Sequence, residues 1–346
     1  MIKEIAVQNF KSIVNLKLPL GRFNLFIGAN GSGKSNILEA IAFGAAASSD
    51  KLDFEYFANR GIRVAEPQFM LPAFGEPMAV NTFVAVEDGQ GKSMGFDIQY
   101  NKNSKPARWE VANAVVDENG FRRIPSFPEL NQFLIYSLEE SKLRKADDSN
   151  RTFPLGLHGE GLFAYLKALA KRDDSVEIFN EIKENLKVLD WFDDMQLPSN
   201  QLSNEFNIQL KDSYLSETIN TFDQRSTNEG FLYLLFYLTL IVSDETPPFF
   251  AIENIDTAFN PKLCREVTKR LIELARKHDK QIIATTHNAA VLDGMNLNEE
   301  DVYLHVVRRL IDGYTKTNRV VLKQELGMPL SEAWQKGFIG GLPDNF

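Results

Sequence analysis

Glycine, lysine and serine stand at the phosphate-loop spacing G-x-x-x-x-G-K-[ST] in Gly28-Ala29-Asn30-Gly31-Ser32-Gly33-Lys34-Ser35. Glycines let backbone N–H groups turn inward around phosphate oxygens. A helix start adds unpaired N–H groups and a partial positive charge. Lys34 has the reach for terminal phosphates, and the Ser35 hydroxyl suits Mg²⁺. The stretch Asn30, Gly31, Ser32, Gly33, Lys34, Ser35 and Asn36 is therefore the first candidate site, with ATP and Mg²⁺ as the groups it would hold. The alternative is a chance glycine turn before a helix, and it must account for every fixed position of the pattern.

Phe249-Phe250-Ala251-Ile252 is an apolar run closed by Glu253. In phosphate-loop enzymes an acid here helps hold Mg²⁺; by itself, a core strand capped by a solvated glutamate reads the same way. Thr285-Thr286-His287-Asn288 closes another strand. A histidine at a strand's C-terminal end points into the crevice where open α/β sheets bind ligands, so His287 could hydrogen-bond a γ-phosphate. A satisfied turn histidine is the plain alternative. His158, His278 and His305 lack this setting and read as surface or structural. Ser226-Thr227-Asn228-Glu229-Gly230 precedes an apolar helix. Asn228, Glu229 and Gly230 are thus either a second anion site or an ordinary N-cap.

These residues need elements to hold them. Residues 2–9 and 14–20 alternate as half-buried strands do, and 22–27 is a third strand that runs into the glycine turn and a helix over 36–47. Further strands are expected at 82–85, 94–100 and 109–116, with turns at Asp88-Gly89 and Asn119-Gly120. From Gly159 to about Asp194 the period is helical, with Asp193 and Asp194 as a solvated helix end. Residues 206–210 alternate again. Then follow helix 230–242, strand 249–252, a helix over 261–277 with Pro261 at its first position, strand 281–285, and strands near 302–307 and 320–322. Helix, strand, helix, strand argues a parallel α/β sheet behind a strand-rich lobe.

Composition limits the function classes. The 346 residues carry 44% apolar and 25% charged side chains, the balance of a globular protein. With 38 Lys+Arg against 47 Asp+Glu, the net charge of −9 gives no general support to duplex binding. Lys142, Arg144 and Lys145 form the best local basic run, and a solvated helix face is the alternative. Trp191-Phe192 and the aromatics of 231–237 read as core packing rather than base stacking. A lone cysteine, Cys264, fits a reducing compartment. The longest apolar run, 231–242, is well short of the ~20 residues that span a bilayer, and the N-terminus lacks a signal-peptide pattern. A cytoplasmic protein without membrane partners is the expectation.

Taken in order, the loop at 28–35, the helix start at 226–230, the acid at 253 and the histidine at 287 resemble the ABC-type ATPase heads of the SMC/RecF/OLD group. Asn9-Phe10-Lys11-Ser12-Ile13 is similar to that group's opening strand. Residues 252–261, Thr285-Thr286-His287-Asn288 and the tail Gly340-Gly341-Leu342-Pro343 resemble prokaryotic OLD-like AAA family ATPases of phage-defence operons. The likeness is thin between residues 50 and 200. It implies an α/β, ABC-ATPase-type P-loop fold with a strand-rich N-terminal lobe and a helical insert. All 346 residues would form one composite head: 1–150 the loop and strand lobe, 151–225 a mainly helical insert, 226–346 the remainder of the site.

The resemblance also implies a mechanism. Two heads meet head-to-tail around two ATPs, the loop of one facing Asn228, Glu229 and Gly230 of the other, and an assembly beyond the dimer is left open. Lys34, Ser35, Glu253 and His287 map onto the motifs, Ser35 and Glu253 as Mg²⁺ ligands, and Lys11 falls near the nucleotide. The group's hydrolytic carboxylate normally follows the Mg²⁺ acid; here Asn254 stands in that place. An amide orients water but is a poor proton acceptor. Asp256 is the candidate substitute. Slow hydrolysis and a long-lived ATP dimer follow as expectations. The stretch after His287 is too short for the nuclease domain of OLD-type proteins, so a nuclease or toxin effector is expected on a separate chain. A RecF-like DNA-repair clamp, with direct nucleic-acid contact, and a non-catalytic ATP-dependent scaffold stand as alternatives. The loose helix-start signature, the opening strand and the strand-rich insert argue against a transporter cassette.

Overall fold

The computed structural model describes residues 1–346 except 64, 75–78, 117–121, 125, 146–153, 197–207, 217–220, 323–326 and 343–346, and the side chains of 122 and 123. The expected turn at 119–120, the start of the strand at 206–210 and Pro343 lie outside the described residues.

β1 (Ile2–Phe10) and β2 (Ile13–Pro19) form a hairpin, and β3 (Phe23–Ile27) leads from it into the glycine loop and α1 (Lys34–Ser48). A short α2 (Phe54–Ala58) follows. β4 (Asn81–Asp88), β5 (Ser93–Asn101) and β6 (Arg108–Val111) complete an antiparallel sheet of order β2-β1-β4-β5-β6. Alternation puts Ile5, Val7, Val84, Val86, Phe96 and Ile98 on the face that packs against α1. A two-strand ribbon, β7 (Val115–Val116) with β8 (Arg122–Arg123), and α3 (Pro128–Asn131) precede β9 (Leu134–Tyr136).

The second sheet holds the site. After α4 (Glu140–Leu143), α5 (Leu162–Leu169) and α6 (Ser175–Leu186) comes a three-stranded antiparallel sheet, β10 (Phe192–Gln196), β11 (Gln209–Asp212) and β12 (Thr221–Asp223). Then follow α7 (Glu229–Val242), β13 (Phe249–Ile252), α8 (Pro261–Lys277), β14 (Gln281–Thr285), β15 (Val302–Arg309), β16 (Thr315–Arg319) and α9 (Leu330–Gln335). The order is β16-β15-β3-β14-β13-β9, parallel except for the β15–β16 hairpin. Every residue of β3, β13 and β14 is buried, as a sheet covered on both faces requires. On one face Phe23, Leu25 and Ile27 join α7 and α8; on the other Phe26 joins α1. Gln281 ties the two sheets together: it accepts from Ile2 N (3.0 Å) and donates to the carbonyls of Ile2 (2.7 Å) and Gly21 (2.8 Å).

Both long helices of the second half start on asparagine caps. Asn228 Oδ1 accepts from Phe231 N, and Asn260 Oδ1 from Leu263 N, with Pro261 at the first helical position.

Three expectations are corrected. Asp193 and Asp194 sit on β10, not on a helix end, because Phe192 and Met195 face inward and a bulge lies between 192 and 194. Each takes a lysine, Lys211 at 2.5 Å and Lys183 at 2.8 Å. For the same reason the stretch from 151 to 225 contains a small sheet as well as helices. The last strand is Thr315–Arg319, not 320–322: the tight turn at Leu310–Gly313 sets the register Arg309↔Thr315, and pairing ends at His305↔Arg319. Of the basic run, Lys142 pairs with Glu160 and Arg144 with Glu140, so two of its cations face acids. His305 is fully buried edge-on to Phe26; burial and then Arg319 push its pKa down to about 3, against a weak pull from the Pro19 carbonyl.

Candidate phosphate-loop site

The glycine turn is shaped by its neighbours. Gly28 has φ +151, and a Cβ there would stand 2.2 Å from the Val307 carbonyl of β15. Gly33 has φ +106, and its Cβ would fall 2.1 Å from Thr315 Oγ1. No side chain fits at either position without moving the loop. Thr315 is fully buried, and its hydroxyl bonds to the Ser32 carbonyl (3.1 Å) and to Ser12 Oγ (2.7 Å). Asn36 Nδ2 donates to the same Ser12 Oγ (2.7 Å). The β1–β2 turn and β16 therefore hold the loop from both sides.

Lys34 Nζ donates to the carbonyls of Gly28 (2.7 Å) and Ala29 (3.1 Å). Burial lowers its pKa to about 8, with Glu253 opposing. An ammonium held only by carbonyls in a desolvated loop is a ready anion site. The Ser32 hydroxyl, buried without a partner at the same loop, adds an unsatisfied polar group. ATP binding is accordingly expected to weaken as pH rises above 8. Below that the free site already holds the charge; above it, binding must take up a proton, and the Kd should climb about tenfold per pH unit. Titration of ATP affinity between pH 7 and 10 measures this.

A cavity of about 310 Å³ is lined by Asn30 to Asn36 and, across from them, Glu253, Asn254, Thr285 and His287. β13 and β14 deliver the last four from the adjoining strand ends. Glu253 N donates to the Tyr136 carbonyl of β9 (2.8 Å), which fixes the strand end. Asn254 has φ +51, a left-handed conformation that asparagine tolerates better than glutamate. Its N–H donates to Thr285 Oγ1 (2.9 Å). Burial first, then Lys34, lowers the His287 pKa below its ordinary 6.5, and Asp256 pulls the other way. The ring is neutral at pH 7, with one donor and one acceptor nitrogen. Among the described residues no cluster of three His, Cys, Asp or Glu side chains could hold a metal alone. Ser35 and Glu253 both line the cavity, and a Mg²⁺ held between them would need phosphate oxygens for the rest of its ligands.

Other sequence candidates stand apart from this cavity. Asp256 accepts from Thr286 Oγ1 (2.6 Å) and lines a neighbouring cavity of about 860 Å³, which also touches Asn30 and His287. Asn228, Glu229 and Gly230 line a third cavity, about 440 Å³, with Trp191 and Lys262. Lys11 has φ +49; its ammonium pairs with Glu39 of α1 and donates to the carbonyl of Arg63 (3.3 Å). Glu39 is only 2% exposed and also takes Arg63 Nε (2.5 Å).

Sequence reasoning missed two cations on the cavity rim. Arg63 reaches it from the segment after α2, and its Nη2 approaches Asn36 Oδ1 (3.4 Å). Arg309 reaches it from the end of β15, with Nε on the Gly313 carbonyl (3.0 Å) and the guanidinium over the Phe74 ring. Neither lies in a local motif.

Comparison with known proteins places this geometry. The structure is similar to the SmcHead bound to the C-winged helix domain of ScpA, with TM-score 0.60, 16% identity, and coverage of 94% of this chain and 99% of that one. It is similar to the SMC head domain from Thermotoga maritima, with TM-score 0.52, 15% identity, and 93% and 99% covered. The Smc head with an extended coiled coil derived from Pyrococcus furiosus, bound to the C-terminal domain of ScpA, gives TM-score 0.60 at 14% identity, with 97% and 98% covered. At such identities these likenesses establish the fold, an ABC-ATPase-type head. A stretch of 71 residues is 37% identical to the DNA replication and repair protein RecF of Glaesserella parasuis serovar 5 (strain SH0165), covering 20% of this chain and 19% of that protein. Residues 23–293 match the family described as "AAA domain, putative AbiEii toxin, Type IV TA system". That match takes in most of the chain and every residue of the phosphate-loop cavity except Arg309, and the chain belongs to this AAA-domain family.

Proposed function

We propose that the chain is an ATP-binding, slowly hydrolysing switch of the OLD-like kind. Two copies close head-to-tail around ATP, and the closed form controls a separate nuclease or toxin effector in cytoplasmic anti-phage defence. The supporting observation is an incomplete site: Asn228, Glu229 and Gly230 line a different cavity from the phosphate loop. A second copy is needed for that helix start to meet a bound phosphate. The toxin–antitoxin description of the family supports a place in a system of that kind. Solved heads of this fold carry a bound partner domain, which supports a protein partner.

In this reading the N–H groups of the loop and Lys34 bind the phosphates, and Ser35 and Glu253 bind Mg²⁺. When bound, Mg·ATP supplies the transferable phosphoryl group. Lys34 exchanges the Gly28 and Ala29 carbonyls for phosphate oxygens. Neutral His287 offers a hydrogen bond at the cavity wall. Asn254 orients water without taking its proton well, and Asp256 is engaged by Thr286, so hydrolysis is slow.

Light scattering with ATP, ADP or no nucleotide tests the switch: a dimer with ATP alone is expected, and a monomer in all states would sink it. Turnover tests the slow step. Asn254→Glu is expected to raise it roughly 10- to 100-fold, within the range of a positioned general base, despite left-handed strain at that position. The RecF likeness favours a second reading, a DNA-gripping repair clamp. Salt-sensitive, ATP-dependent DNA binding by the isolated chain would select it.

A further inference from the structure

The last described stretch of the chain is built into the nucleotide cleft. Ser331 anchors it: its N and Oγ donate to the two carboxylate oxygens of Asp293 (2.9 and 2.7 Å), at the end of the 3-10 turn Ala289–Gly294 that follows His287. Trp334 sinks its ring into the core beneath the six-stranded sheet. Beyond α9 the chain passes over β15 at Gly340 and Gly341, with φ +74 and +87. A Cβ on Gly340 would fall on the Arg308 guanidinium, 1.8 Å from Nη2. A Cβ on Gly341 would stand 3.0 Å from Val306 Cγ1 and 3.7 Å from Cα of Gly28, the first residue of the phosphate loop.

Gly28 is thus held between the Val307 carbonyl and the tail, and its own carbonyl is the nearer acceptor for Lys34 Nζ. The cavity of about 860 Å³ that the tail walls in shares Asn30 and His287 with the phosphate cavity, so the two adjoin at those residues. We propose that the segment 331–342 is a wall of the nucleotide cleft and that Gly341 is a positioning residue for the phosphate loop. Bulk at 341 crowds Val306 of β15, while its 3.7 Å approach to Gly28 is ordinary contact; a shift of β15 at Val306 carries the adjoining Val307 carbonyl on which Gly28 is seated, and with it the Gly28 carbonyl that sets the Lys34 ammonium. This rests on the reading of the loop as an ATP site.

The test pairs two substitutions in the same tail. Gly337 also has positive φ, +77, but nothing lies within 4 Å of its Cβ position. Gly337→Ala and Gly341→Ala therefore impose similar backbone strain, and only Gly341→Ala crowds a neighbour, Val306 of β15 beside the loop. ATP affinity is measured by titration of the full chain, with Tm as the record of strain. Gly341→Ala is expected to weaken ATP binding roughly tenfold, the scale of a sub-ångström displacement of a binding group, and Gly337→Ala by less than about twofold. Both should lower Tm by similar amounts. Unchanged affinity in Gly341→Ala, or equal losses in the two variants, overturns the inference. A wild type that binds no ATP overturns both this inference and the ATP-site reading; a wild type that binds while Gly341→Ala binds equally overturns this inference alone. If Gly341→Ala does not fold, Ser331→Ala, which cuts only the hydroxyl bond to Asp293, must weaken ATP binding, and unchanged affinity there is equally fatal.

Discussion

Lys34→Ala is expected to weaken ATP binding by roughly 100-fold, the effect of losing a charge-assisted phosphate contact of about 3 kcal/mol. The geometry makes this larger than for a surface lysine. Lys34 is 7% exposed, and among the described residues its ammonium rests on two carbonyls with no carboxylate in contact. Burial has already weakened its hold on the proton. Its charge is therefore costly in the free protein and recovers that cost only against an anion. The variant should fold at least as well as the wild type, because removing a poorly compensated buried charge relieves desolvation. Isothermal titration with ATP and a thermal melt on the same sample separate the two effects. Retained affinity, or a collapsed melt, would show that Lys34 is structural.

Glu253→Gln is expected to cut turnover by at least about 100-fold and to remove the dependence of ATP affinity on Mg²⁺. Among the described residues Glu253 is the one carboxylate that lines the phosphate cavity, and its backbone is pinned by the Tyr136 carbonyl, so the substitution keeps the strand end in place. An amide is a weak ligand for a hard divalent cation. Affinity measured with Mg²⁺ and then with EDTA should differ in the wild type and coincide in the variant. An undiminished Mg²⁺ effect in Glu253→Gln would remove this residue from the metal site.

The loop, β13 and β14 were legible because their information is local. Residues 28–35 are contiguous, and strands buried on both faces read as unbroken apolar runs. Arg63, Arg309 and Glu39 were not legible. Glu39 looks like any helical glutamate until Lys11 and Arg63, brought from separate segments, meet over it. β10 and β16 were misread for a related reason. Phe192-Asp193-Asp194-Met195-Gln196 and Thr315-Lys316-Thr317-Asn318-Arg319 carry little apolar pattern. Their pairing is imposed by β11 and β15, so tertiary context decides where propensity is weak. Lys11, placed near the nucleotide by resemblance, pairs with Glu39 and reaches the carbonyl of Arg63 on the cavity rim.

The strand order carries a consequence for how the chain is made. β3 ends at residue 27, but its sheet neighbours are β14 and β15, beyond residue 280. At ordinary translation speeds the nascent strand waits on the order of 10–50 s for either neighbour to leave the ribosome. The first sheet and α1 find their partners early, through close neighbours in the chain. α7, apolar on nearly every side, finds α4 and α6 before it in the chain, but the sheet strands β13 and β14 and helix α8 that cover its remaining faces come later. Birth of the protein therefore passes through a half-sheet with a half-covered apolar helix, the kind of species that chaperones bind and that aggregates when synthesis is interrupted. A stop codon between α7 and β14 should yield inclusion bodies, whereas one placed after β6 should leave a smaller and more tractable fragment.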